Sequence, residues 1–135
     1  MRTIKFRGKR LDNQDWTYGS LVPVTTNGKT QPHIVSEIRG GSVQGFPIDP
    51  DTVGQFTGLY DNKGNEVWEG DIVRYRLTDE RYKKNPRFNN LLIHYEDSSA
   101  RFMAGDIYWK TLWREKVEVI GNIHDNPEII KEDTD

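Results

Sequence analysis

The sequence has 135 residues, of which 34% are hydrophobic, 30% charged and 11% aromatic, and its formal net charge is −2. A disordered chain is excluded, because such chains are poor in aromatic and β-branched residues, and no global positive field is present to attract nucleic acid. The absence of cysteine excludes disulfides and thiolate metal sites.

The remaining bulk features concern location and assembly. No apolar run approaches the roughly 20 residues of a membrane span. The basic N-terminus lacks the apolar core of a signal peptide. We therefore expect a cytoplasmic protein. A small aromatic-rich core often gains burial by self-association, so a homo-oligomer is also expected.

The first predicted elements form a hairpin. Residues 3–7 alternate, with Ile4 and Phe6 on one face, and residues 16–22 form a second run with aromatic bias. The basic residues within 2–10 are interpreted as a solvated strand face, with a binding role as the alternative.

A second hairpin is predicted around Asn27-Gly28, since both central positions of a type I′ turn need positive φ. It should reverse residues 21–25 onto 30–38. Pro23 and Pro32 are expected to restrict these segments to edges or irregular pairing.

Residues 39–50 are rich in Gly and Pro and lack a period, which indicates a long connection between two units. The predicted organisation is an N-terminal β-hairpin unit (1–48), a C-terminal unit (49–130) and an acidic tail (131–135).

In the C-terminal unit, short alternating runs bounded by turn residues predict strands, and Asn126-Pro127-Glu128 is suited to open a helical turn. The predicted strands cover residues 66–68, 72–77, 91–96, 100–103 and 116–123. The fold class is therefore mainly β with minor helix content. The C-terminal unit is expected to be a small SH3-like β-barrel, and the N-terminal unit an irregular β-rich one.

Three blocks of the sequence resemble one known family. They are FRGKR near the start, DPDTVGQFTGLYDNKGNEVWEGDIVRY in the middle and VEVIGNIHDNPEII near the end. In order and spacing these blocks resemble the YopX family of phage and prophage proteins. The resemblance implies a β-rich fold from a bacteriophage or a lysogenic bacterium, with the bacterial host cell as its location, and it brings no established activity and no catalytic residues.

Enzyme motifs are incomplete in this sequence. Gly28-Lys29-Thr30 matches the end of a phosphate-binding P-loop, but Pro23 stands where its first glycine belongs. The histidines lie on separate segments. Glu69 and Asp71 flank Gly70 and are better explained as part of a turn. We therefore expect no enzymatic activity, no cofactor and no metal.

The strongest candidate site is the basic segment 74–87, in which aromatic residues are interleaved. Basic grooves with stacking aromatics are typical of proteins that bind single-stranded nucleic acid. The alternative interpretation places Tyr75 in the core and leaves the rest as a solvated loop. The candidate binding residues are Arg74, Arg76, Arg81, Tyr82, Lys83, Lys84 and Arg87.

Two other classes of function stay open. An adaptor that captures a host protein would use exposed aromatics such as Trp109 and Trp113, although core filling explains these as well. A hydrolase or nuclease would need carboxylates that converge on a metal ion.

Overall fold

The computed structural model describes residues 2–38, 40–77, 87–105, 107–108 and 117–133. The chain divides into two compact units, Met1–Phe56 and Thr57–Asp135. The sequence placed the start of the second unit at residue 49, whereas this division falls within the strand Gly54–Tyr60.

The first unit is an antiparallel sheet of consecutive strands. The strands are β1 (Phe6–Lys9), β2 (Trp16–Thr26), β3 (Lys29–Ile38), β4 (Ser42–Pro47) and the start of β5 (Gly54–Tyr60), with a 3-10 turn at Pro50–Thr52. Leu21 lies opposite Ile34, which lies opposite Phe46. Ile34 and Ile48 are fully buried and form the centre of this unit's core.

The hairpin at Asn27-Gly28 has the predicted turn, with φ of 53° and 77°. Of the two outcomes expected at the prolines, Pro23 shows the edge position, because it lies in the part of β2 that extends beyond β1. The pairing itself is regular, with Pro23 directly opposite Pro32. The carbonyl of Pro32 accepts from the Ile48 N–H on the β4 side, so neither proline nitrogen has to donate between β2 and β3. Gln31 replaces the missing Pro32 donor, because its Nε2 donates to the Ile48 carbonyl at 2.7 Å.

The expected long connection over 39–50 contains strand β4, and this part of the interpretation was wrong. Residues 42–45 are exposed on both faces of the sheet. Since no buried face demands apolar side chains there, the strand leaves no hydrophobic period in the sequence. The N-terminal unit is thus a regular sheet.

The second unit is built on a five-stranded antiparallel sheet with the order β10-β9-β8-β7-β11. Its elements are β6 (Glu66–Trp68), β7 (Asp71–Leu77), β8 (Arg87–Glu96), β9 (Arg101–Ala104), β10 (Ile107–Tyr108), β11 (Val117–Asn122) and helix α1 (Pro127–Asp133). Strand β6 is the neighbour of β5, so the other sheet has the order β4-β3-β2-β1-β5-β6.

The core of the second unit joins residues from several strands. It consists of Val67, Val73, Ile93, Ala104 and Val117, with Tyr75, Leu91 and Val119 packed against it. Helix α1 begins at Pro127, as predicted, and packs against β8. Among the helices of the described residues, none has the length and apolar character that a membrane crossing requires.

The mainly β class is confirmed, but the described strands form open sheets and no closed barrel. The outer side of β11 is occupied by the loop between β5 and β6 instead of another strand. We call this loop, residues 61–65, the Asp61 loop. Asn62 N donates to the Val117 carbonyl, and Val119 N donates to the Asp61 carboxylate. These bonds occupy the edge that a barrel would need for closure.

Candidate functional site

The two faces of strand β7 differ in character, one being buried and mainly apolar and the other exposed and cationic. Val73 is fully buried and Tyr75 packs against the core, whereas Arg74 and Arg76 are exposed on the other face. The core interpretation of Tyr75 is confirmed. Alternation along the strand therefore separates the two candidate arginines from the aromatic residue between them.

Arg74 is held by partners on both neighbouring strands. Its guanidinium carbon lies 4.9 Å from the ring centre of Phe88 on β8, and its Nη2 lies 3.2 Å from Glu118 Oε2 on β11. Such cation–π contacts contribute about 0.5–1 kcal/mol at exposed sites. The guanidinium is thus oriented on the sheet surface.

Glu118 also binds Lys63, whose Nζ lies 2.8 Å from Oε1. The hydrogen bond from Lys63, together with Arg74, lowers the pKa of the Glu118 carboxyl from its ordinary value. One carboxylate therefore orients two cations, and this face keeps an excess of positive charge.

Phe88 supplies the aromatic surface of the site. Its side chain is 49% exposed, and it lies directly opposite Arg76 in the β7–β8 pairing. An exposed ring flanked by two arginines on a rigid sheet can stack with a planar group while a nearby cation contacts an anion. We call Arg74, Arg76 and Phe88 the arginine–phenylalanine surface.

The sequence-predicted site is only partly within the described residues. Arg74 and Arg76 lie together on the arginine–phenylalanine surface, and Arg87 begins β8 opposite Leu77. The other candidates, Arg81, Tyr82, Lys83 and Lys84, lie outside the described residues, as do Trp109 and Trp113.

Sequence reasoning missed Glu118 and Lys63. Glu118 lies 44 residues from Arg74 along the chain, so only the pairing of β11 with β7 brings them together. The alternation of charge in Lys116–Val119 is the local signal that Glu118 points away from the core.

A second group of cation–aromatic contacts lies in the first unit. Arg7 stacks on Trp16 at 4.6 Å, and Lys5 lies 4.9 Å from the Phe56 ring centre. Arg7 is only 6% exposed. The interpretation of residues 2–10 as a solvated face was therefore wrong for Arg7, whose buried guanidinium lies over the aromatic ring.

Asp71 serves the turn between β6 and β7. Asp71 accepts a hydrogen bond from the Trp68 N–H at 2.8 Å, as its place in the predicted turn implied. Within the described ranges, no cluster of three or more His, Asp or Glu side chains is arranged to hold a metal ion.

Comparison with known families gives one match that spans most of the chain. The family model described as YopX protein matches residues 5–131. The chain belongs to the YopX family. The matched range includes both the arginine–phenylalanine surface and the Asp61 loop.

A solved structure with a similar fold is the crystal structure of protein EF1440 from Enterococcus faecalis. It shares 25% sequence identity with this YopX family member at a TM-score of 0.57, covering 96% of this chain and 99% of that chain. No relative was found among curated proteins.

Proposed function

We propose that this YopX family member is a non-enzymatic cytoplasmic binding module, and that its ligand is single-stranded nucleic acid. The binding site is the arginine–phenylalanine surface together with the basic segment that follows it. The observation that supports the proposal is the contact between Arg74 and the half-exposed ring of Phe88.

The contact suits a nucleobase because bases stack on aromatic rings and on guanidinium planes. Arg74 is oriented by Glu118, so less side-chain freedom is lost when a base packs against it. Arg76 lies beside Phe88 and is placed to contact the phosphate of the stacked nucleotide. A duplex would hide its base faces from this surface.

Local charge supports the same ligand. Residues 74–87 contain six basic residues, namely Arg74, Arg76, Arg81, Lys83, Lys84 and Arg87, against Asp79 and Glu80. The whole chain is slightly acidic, so attraction to phosphate depends on local basic segments such as this one. Binding should therefore be strongly salt-dependent, because each phosphate contact releases condensed counterions.

The test is fluorescence anisotropy with labelled single-stranded and double-stranded oligonucleotides over a salt series. We expect the protein to prefer the single strand. Arg76→Gln should weaken binding and reduce the slope of log K against log salt by about 0.7, the value for one single-strand phosphate contact. Lys29→Gln, which removes one exposed charge at the hairpin tip of the first unit, is the matched control.

A second pair of variants tests whether the Phe88 ring stacks with a base or acts only as apolar surface. Phe88→Leu keeps an apolar side chain but removes the ring, and should weaken binding by about 1–3 kcal/mol without a change in salt slope. Phe88→Trp should retain or strengthen binding. The proposal fails if neither oligonucleotide binds at low salt, or if Arg76→Gln and Lys29→Gln behave alike.

A further inference from the structure

The edges of the sheets in this protein are guarded in several ways. Unpaired strand edges invite association, and proteins protect them with bulges, covering loops, prolines or very short strands. Strand β11 has a bulge between Val119 and Gly121 and is covered by the Asp61 loop. Strand β10 has only two residues and β6 only three. The part of β2 that extends beyond β1 contains Pro23.

Strand β4 differs from these edges. The sequence Ser42-Val43-Gln44-Gly45-Phe46 contains no charge and no proline. Val43 is 68% exposed, and β4 ends the sheet order. The one proline of β4, Pro47, stands at its end. Among the described edge strands, β4 is therefore the one whose edge has no guard along several residues, from Ser42 to Phe46.

The register identifies the unpaired groups of β4. Ile48 N donates to the Pro32 carbonyl on β3. Because hydrogen-bonding direction alternates along an antiparallel strand, Phe46, Gln44 and Ser42 also face β3. The backbone N–H and C=O groups of Val43 and Gly45 therefore point away from the sheet. Within the described part of the chain, no residue hydrogen-bonds to them.

We propose that β4 pairs antiparallel with β4 of a second copy of this chain, about a two-fold axis at Gln44. Val43 then lies opposite the partner's Gly45, and each such pair exchanges both backbone hydrogen bonds. This register satisfies the outward groups of both residues.

The neighbouring registers do not satisfy them. If Val43 faced its own copy, Gly45 would lie opposite the partner's Gly41, which is a turn residue with φ of 78°. If Gly45 faced its own copy, Val43 would lie opposite the partner's Pro47. Proline has no N–H, and the Pro47 carbonyl already accepts from Leu11 N.

Side chains also favour a second copy as the occupant. The large exposed side chain of Val43 lies beside the partner's Gly45, where no side chain competes for space. A Cβ at Gly45 would lie 3.2 Å from Val35 Cγ2, so a side chain there would have to displace that methyl group. Strand β4 contains no charged residue, so pairing two copies of it brings no like charges together.

The register is tested by disulfide trapping in a chain that has no cysteine of its own. Gln44 faces its own copy as a non-hydrogen-bonded pair, whose Cα atoms are about 4.5 Å apart, within the range for a disulfide. We expect Gln44→Cys to form a covalent dimer rapidly under mild oxidation. Val22→Cys, at a 38% exposed position on the same sheet, is the control and should cross-link much more slowly. Equal rates would overturn the proposal.

Association without a cross-link is measured by sedimentation across a concentration series. The natural sequence should sediment as a dimer at high concentration, while Val43→Lys and Val43→Pro should remain monomeric with unchanged circular dichroism. Val22→Lys should still form the dimer. Amides of Val43 and Gly45 should be protected from hydrogen exchange at high concentration and lose protection on dilution. A monomer at all concentrations, or a dimer that survives both Val43 variants, contradicts the proposal.

Discussion

At the scale of single residues, Asp61 joins separate parts of the second unit. It is fully buried, and its carboxylate accepts from the N–H groups of Lys63, Asn65 and Val119 and from the Asn65 side chain. Burial alone would raise the pKa of Asp61, but the hydrogen bonds outweigh burial and hold the pKa below its ordinary value. The ionised carboxylate is therefore the form that the fold requires.

We expect Asp61→Asn to lower the free energy of unfolding by about 2–3 kcal/mol, because an amide leaves buried N–H donors without an acceptor. Urea denaturation is the measurement. Asp97→Asn makes the same change at an exposed turn residue and should have an effect within about 0.5 kcal/mol. Equal effects would show that the Asp61 bonds are not stabilising.

At the scale of elements, the contact of β1 with Ile48, the residue that follows β4, depends on Gly8. A Cβ at Gly8 would lie 2.5 Å from Ile48 Cδ1, and Ile48 is fully buried. We expect Gly8→Ala to cost about 1–3 kcal/mol by overpacking. Ile48→Val removes the clashing Cδ1 atom and by itself should cost about 0.5–1.5 kcal/mol.

The double variant tests the cause. Since Ile48→Val makes room for the alanine, the loss in the double variant should be smaller than the sum of the single losses by at least about 0.5 kcal/mol in thermal or urea unfolding. Strict additivity would mean that Gly8 is needed for another reason.

The same scale shows which elements could be predicted from sequence. Strands with one buried face, such as β7 with Val73 and Tyr75, show a clear alternation of apolar and polar residues. The turn at Asn27-Gly28 was predicted from its two residues. Strand β4 was missed because an edge strand exposed on both faces imposes no pattern. The open form of the sheets was also beyond prediction, since the loop that covers β11 acts through Asp61 and Val119, 58 residues apart.

At the scale of the whole molecule, the free energy of unfolding should decrease at acidic pH. Asp61 and Glu118 have folded-state pKa values below their ordinary values of 3.8 and 4.5. A group with a lowered pKa stabilises the fold above its unfolded-state pKa, and this contribution is lost as the pH falls through the folded-state value. We therefore expect the urea midpoint to be nearly constant above about pH 6 and to fall below about pH 4.5.

The Asp61→Asn variant provides the control for this pH dependence. Without the Asp61 carboxylate, the drop in the urea midpoint between about pH 4.5 and 2.5 should become shallower. An unchanged slope would assign the acid sensitivity to other carboxylates.

Some features of the candidate site can also be predicted from local sequence, whereas others depend on residues far apart in the chain. The basic character of Arg74 and Arg76 is visible in the sequence, and the alternation of β7 predicts that they share a face. Their orientation by Glu118 and Phe88 depends on which strands become neighbours. Strand order is decided by the packing of the whole unit, which no local period encodes.

The Asp61 loop also has a consequence for synthesis on the ribosome. Its bonds to Lys63 and Asn65 are local and can form as soon as the loop emerges, whereas Val119 is translated 58 residues later. At ordinary elongation rates this is a delay of roughly 3–12 s. During that interval the local hydrogen bonds already orient the Asp61 carboxylate. When β11 is synthesised, the acceptor for the Val119 N–H is therefore in place.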